Sequence, residues 1–168
     1  NQYSDLIEKE LKNLNLTDVK TFTYSSNPEV LTGEIEELTN YTQRKRNLEL
    51  RKKIFEDKED ENSIKELERL EQLYTLGDVN FDSLIIIDFG SNLKSVLTSL
   101  VYSDVDQEKV IITTVNQWFD ESIFYENTIK DLYYPSVNYK EFKKYNEKYY
   151  EEYNIFPNEI TILTYDAL

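Results

Sequence analysis

Hydrophobic residues are concentrated in two short runs in the middle of the chain, with a helical pattern between them. The runs are Leu84 to Ile87 and Val110 to Thr113, and both are rich in β-branched side chains, which favour strands. Residues 91–102 carry apolar side chains at three- and four-residue steps, as one face of a helix does. This order predicts two parallel strands joined by a crossover helix. Because continuously apolar strands are typical of sheets covered on both sides, the pattern predicts an α/β fold, a three-layer parallel sheet with helices on both faces.

Similar patterns predict further elements on either side of this unit. Asn27 followed by Pro28 indicates a helix start, since Asn caps a helix N-terminus and Pro fits its first turn. Aromatic residues recur at helical spacing in residues 138–153, which predicts a helix there. The aromatic stripe is either part of a core, which is the plainer interpretation, or a ligand site. The other predicted elements are a helix from Tyr3 to Leu14, a strand from Val19 to Tyr24, a short strand ending at Pro135 and a last helix from Pro157.

Residues 43–76 differ in composition from their surroundings, with basic clusters followed by an acidic run. The pattern predicts two charged helices joined by an acidic loop, with Ser63 capping the second helix, and we interpret them as an inserted helical hairpin. The basic clusters are either a contact surface for a partner or a solvated helical face, and the second is the plainer interpretation. The candidate partner-contact residues are Arg44, Arg46, Arg51 and Lys52.

Composition excludes several functional classes. The net charge is −14 over 168 residues, which disfavours binding to nucleic acid, because that binding depends on Lys and Arg at phosphates. The chain has no His and no Cys, so Ser-His-Asp and Cys-His catalysis, disulfides and the usual zinc sites are excluded. Phosphate-binding glycine motifs are absent, and no apolar run is long enough to span a bilayer. We therefore expect no cofactor, no metal and no transmembrane segment in this chain.

Candidate binding residues lie where the two predicted strands end. Asp88 and Phe89 follow the first strand, at the carboxyl edge where open α/β sheets place ligand clefts. The second strand leads into a polar loop that carries the only tryptophan, Trp118. This side chain either serves recognition or packs beneath its loop.

The order of these motifs resembles a known family. F-D-S-L-I-I-I-D-F-G at residues 81–90, V-I-I-T-T-V-N-Q-W at 110–118, L-Y-Y-P at 132–135 and T-Y-D-A-L at 164–168 look like the later part of type I periplasmic binding proteins. They are most similar to the penicillin-binding protein activators, which share that fold. One departure is Val115, which stands between Thr114 and Asn116 in the T-N-Q-W-like loop.

The resemblance implies how the chain is divided. Residues 1–115 would form an α/β lobe that carries the charged insertion at 43–76. Residues 116–168 would cross a hinge and supply part of a second lobe. The chain would then be a segment of a longer protein, located in the periplasm or cell envelope.

The resemblance implies a non-enzymatic regulator that activates a peptidoglycan synthase by protein contact. The alternative is a solute-binding protein that delivers an amino acid or other small polar ligand to the subunits of an ABC transporter. An enzyme is a third class, but Asp82 and Asp88 are about 20 Å apart along one strand and cannot act as a pair. The ligand-binding candidates are Asp88, Phe89, Thr113, Thr114, Asn116, Trp118 and Tyr165.

Overall fold

The structure, a computed structural model, describes residues 2–16, 18–115, 131–135, 139–157 and 161. This part of the chain is α/β, with six helices and a small parallel sheet of three strands. The elements in chain order are α1 (Gln2–Asn13), α2 (Pro28–Leu38), α3 (Tyr41–Glu56), α4 (Glu61–Glu71), β1 (Ser83–Ile86), α5 (Gly90–Tyr102), β2 (Ile111–Thr114), β3 (Leu132–Tyr133) and α6 (Tyr139–Tyr153).

The sheet confirms the predicted strand–helix–strand unit. β1 pairs parallel with β2, and β2 pairs parallel with β3, which gives the strand order β1-β2-β3. Leu84 lies opposite Ile112, which in turn lies opposite Leu132. The short third strand before Pro135 is also confirmed. All three strands run the same way, so their carboxyl ends meet at one edge.

The main hydrophobic core lies between the sheet and two helices. α5 contributes a stripe at three- and four-residue spacing, as predicted, and α2 packs beside α5. Asn27 caps α2 by accepting a hydrogen bond from the backbone N–H of Glu29 at 3.1 Å. The buried core residues are Leu31, Ile35, Ile86, Leu93, Val96, Leu97, Leu100, Val105, Val110 and Ile112.

None of the described helices covers the opposite face of the sheet. Because side chains alternate along a strand, Ile85 and Ile111 point away from the core, and they are 42% and 56% exposed. Ile86 and Ile112 next to them are buried. The helices that share the core therefore lie on one face, and the expected three-layer arrangement is not found among the described residues.

The strand predicted from Val19 to Tyr24 is wrong, since residues 18–25 have neither strand nor helix structure. Of residues 19–24, only Tyr24 packs against the hydrophobic core. The alternation of side chains along this segment therefore does not mark the buried face of a strand.

The position of β3 bears on the predicted division into lobes. Residues 132–133 pair with β2, so they belong to the same sheet as the first lobe. The expected hinge crossing after residue 115 stays a prediction, because residues 116–130 lie outside the described part of the chain. No helix among the described residues is long and apolar enough to cross a membrane.

Candidate functional site

Asp88 joins two parts of the fold at the carboxyl end of β1. The Tyr24 hydroxyl donates a hydrogen bond to Asp88 Oδ2 at 3.0 Å, and the Phe89 backbone N–H donates to Oδ1 at 2.8 Å. The carboxylate thus links the segment before α2 to the start of α5. Gly90 begins α5 with φ of 53°, a left-handed conformation that glycine adopts without a Cβ clash. Both Asp88 oxygens therefore accept hydrogen bonds that support the fold.

Thr113 and Thr114 lie on opposite faces of β2. Thr114 is buried, and its Oγ1 donates a hydrogen bond to the Ile86 carbonyl at 2.9 Å. Thr113 is half-buried on the open face, opposite Ile85 of β1. Adjacent strand residues point to opposite faces, so the two candidates Thr113 and Thr114 do not line one pocket together.

Of the four other ligand-binding candidates, the structure describes only one. Phe89 is 44% exposed at the edge of the sheet. Asn116, Trp118 and Tyr165 lie outside the described residues. Whether these side chains converge with Asp88 on one cleft stays a prediction.

The Tyr24–Asp88 contact gives a pH-dependent prediction. Burial raises the pKa of the Tyr24 phenol, and the negative charge of Asp88 raises it further. The native state therefore holds the phenol proton more tightly than the unfolded chain does. This stabilisation is complete below the unfolded pKa of about 10 and is lost as the pH rises above it. We expect the unfolding free energy of Tyr24→Phe to fall less steeply than that of wild type between about pH 9.5 and 11.5.

Equilibrium urea unfolding at a series of pH values measures this slope. Tyr102→Phe is the matched control, because Tyr102 is 74% exposed, and its slope should equal that of wild type. Equal slopes for Tyr24→Phe and wild type would show that the Tyr24 phenol titrates normally.

The charged segment folds as two packed helices, as predicted, but its cap differs from the prediction. Asp60, not Ser63, caps α4: its Oδ1 accepts from the Ser63 backbone N–H at 3.0 Å, and its Oδ2 accepts from the Ser63 hydroxyl at 2.6 Å. Ser63 is the third helical residue, where its own side chain cannot cap. Leu48 and Leu70 are fully buried, and α3 packs against both α4 and α2.

Arg44 was predicted to contact a partner, and this prediction is wrong, because the residue is only 6% exposed. It donates hydrogen bonds to three backbone carbonyls, from Nε to Gly77 at 2.8 Å, from Nη1 to Ser103 at 3.0 Å and from Nη2 to Asp104 at 2.7 Å. Ser103 and Asp104 directly follow the last residue of α5, where the helix dipole favours a cation. Thr75 also donates to Asp104 Oδ2 at 2.5 Å. Arg44 therefore fastens the hairpin to the end of α5 and is unavailable to a partner.

The other three predicted contact residues lie on different sides of α3. Lys52 is half-buried and, eight residues after Arg44, lies near the inward stripe at 100° per residue. The Arg51 guanidinium lies over the Phe55 ring, 4.9 Å from its centroid. Arg46 is exposed, and of the four it alone points directly away from the fold.

An exposed apolar pair accompanies Arg46 on this outward side. Leu50 and Ile54 are each 51% exposed, and they are four residues apart, so they are neighbours on the helix surface. Lys53, also exposed, lies beside them. We call these four residues, Arg46, Leu50, Lys53 and Ile54, the outer face of α3. Sequence reasoning missed its apolar part, although a helical wheel shows Leu50 roughly opposite the buried Leu48.

Charge is unevenly distributed between this helix and the rest of the chain. α3 contains six basic and two acidic residues, a net of four positive charges, whereas the whole chain carries −14. The cations of α4 are paired, Lys65 with Glu61 at 2.6 Å and Arg69 with Glu66 at 2.8 Å. The outer face of α3 is thus a basic and apolar surface on an acidic protein.

Within the described ranges, no three acidic side chains are grouped so that they could hold a metal ion. Comparisons of the chain with protein-family models, with curated proteins and with solved structures find no match.

Proposed function

We propose that this protein acts by binding another protein through its charged helical hairpin, and that it catalyses no reaction. The observation that carries this proposal is the outer face of α3, where two large aliphatic side chains and two cations point into solvent together. Exposed apolar side chains that are grouped and rimmed by polar residues mark interaction sites more often than scattered ones do. The buried Arg44 ties this helix to the fold by three hydrogen bonds, and a preformed surface loses less conformational entropy on binding than a flexible one.

The resemblance to penicillin-binding protein activators gives this proposal its finer form. The chain would be part of a lobe of the type I periplasmic-binding fold, act in the cell envelope, and activate a peptidoglycan synthase by contact. The parallel β1-α5-β2 unit is compatible with such a lobe, although many unrelated α/β proteins contain the same unit.

The geometry of the strand ends supports protein contact over solute binding. Asp88 accepts hydrogen bonds from Tyr24 and Phe89, and the Thr114 hydroxyl donates to a backbone carbonyl. Both candidates thus already bond within the fold. The hollow between α2 and α5 lies away from the strand ends, is open to solvent and has a volume of about 260 Å³, which is below the roughly 300–1,000 Å³ of most small-molecule sites.

A synthase assay tests this function. The rate of glycan-chain polymerisation by a purified peptidoglycan synthase of the same organism is measured with increasing amounts of the full chain. We expect a saturable rise in rate. In parallel, the melting temperature is measured with a panel of amino acids and small polar metabolites, where a specific ligand at 100 times its Kd would stabilise the native state by about 2.7 kcal/mol. An unchanged synthase rate together with a melting shift for one ligand class would favour solute binding instead.

A further inference from the structure

We propose that the outer face of α3 docks an acidic amphipathic helix of the partner protein, with apolar side chains at one-turn spacing and carboxylates on either flank. This inference rests on the proposed function. It adds the kind of partner segment that binds and the residues of this chain that contact it.

The apolar pair forms a ridge along the helix axis. Leu50 and Ile54 are separated by one turn, and about half of each side chain is accessible to solvent. α3 already buries a separate stripe that includes Leu48, so its outer face is not needed for the hairpin itself. An amphipathic helix that meets such a ridge presents anchors at one-turn spacing, packing its own side chains on either side of the ridge.

The cations on this face lack partners within the described part of the chain. The side chains of Arg46 and Lys53 make no hydrogen bond or ion pair there, in contrast to those of Lys65 and Arg69 of α4. Charged groups at the rim of an interface steer encounter and set partner choice. A partner with carboxylates beside its apolar anchors would pair with both cations, whereas a basic partner would be repelled.

The surroundings disfavour two other occupants. An anionic membrane would be repelled by the net charge of −14, and two aliphatic residues are a small apolar area for insertion into a lipid interface. Nucleic acid would meet the same repulsion. The acidic excess would also repel an acidic protein from most of the chain. Only α3 has a net positive charge sufficient to attract carboxylates, so the attractive surface has about the length of one helix.

The test measures binding of a defined probe by fluorescence anisotropy. The probe is a labelled helical peptide of about 16 residues with leucines along one face and glutamates on both flanks; its counterpart carries lysines in place of the glutamates. We expect the full chain to bind the glutamate peptide and not the lysine peptide, with affinity that falls as salt screens the charges. The double variant R46E/K53E should bind the glutamate peptide at least about tenfold more weakly, which corresponds to 1.4 kcal/mol, and should gain affinity for the lysine peptide.

Two controls separate this site from general effects. K9E/K20E makes the same change of net charge at exposed lysines away from α3, and it should bind the glutamate peptide like wild type. L50N/I54N keeps the charges and removes the apolar ridge, and it should also weaken binding. Circular dichroism and the melting temperature check that each variant folds.

Several outcomes would overturn the inference. One is an equal loss for R46E/K53E and K9E/K20E, which would indicate non-specific electrostatics. Others are binding only to vesicles that contain phosphatidylglycerol, or self-association of the chain that R46E/K53E abolishes, which would make a second copy the occupant. If the wild-type chain activates the synthase and R46E/K53E does so equally, the proposed function stands and this inference fails. If the chain binds the glutamate peptide in a charge-dependent way but no synthase responds, this inference stands and the proposed function fails.

Discussion

Replacing Arg44 by methionine is expected to lower the free energy of unfolding by about 3 kcal/mol or more. The substitution keeps the apolar stem but removes all three hydrogen bonds to the carbonyls of Gly77, Ser103 and Asp104. Each buried carbonyl left without a donor costs about 1–3 kcal/mol, and water can relieve part of this at the half-buried ones. Loss of the cation at the end of α5 adds to the effect.

Equilibrium denaturation with urea measures this change, with an unchanged m-value as the sign that the native state stays compact. Arg46→Met is the matched control, since it removes the same group from an exposed position two residues away, and it should alter stability by less than about 0.5 kcal/mol. Arg44→Lys should fall between the two, because an ammonium cannot reproduce the planar fork of donors. Equal effects of Arg44→Met and Arg46→Met would contradict the anchoring role of Arg44.

Replacing Ile112 by alanine is expected to cost about 2–5 kcal/mol of unfolding free energy. Ile112 is 1% exposed and lies in the centre of β2, in contact with the core formed by α2 and α5. Removing three carbon atoms there loses their transfer free energy and leaves a cavity between sheet and helices. The same denaturation measurement gives the value.

Ile111→Ala is the control for this prediction, because the adjacent residue on the same strand points to the open face and is 56% exposed. It should cost less than about 1 kcal/mol, since most of its side chain is already in water. Similar losses for both variants would show that the second face of the sheet is covered in solution.

The central α/β unit could be predicted from sequence because its determinants are local. The apolar run around Ile86 and the helical stripe that includes Leu93 report burial directly, and a short strand, a helix and a strand leave few arrangements. Asn27 capped α2 as expected, because the motif acts within four residues. Ser63 was misread because Asp60, three residues earlier, supplies a stronger acceptor at the true cap position.

The roles of the charged residues could not be predicted in the same way. Arg44 and Arg46 stand in one basic cluster, yet one is buried and the other exposed. What distinguishes them is a set of carbonyls 33 to 60 residues away. Asp88 was placed correctly at a strand end, but its partner Tyr24 lies 64 residues away. Periodicity reports which face of an element is apolar, not which polar groups it meets.

The most direct test of the central claim, that the protein acts by contact through the outer face of α3, is one synthase measurement with three proteins. The initial rate of glycan polymerisation by the purified synthase is compared in the presence of wild type, R46E/K53E and K9E/K20E. We expect wild type and K9E/K20E to raise the rate equally and R46E/K53E to raise it little or not at all. A synthase that responds to all three alike would contradict the role of the outer face of α3, and a synthase that responds to none would contradict the proposed function itself.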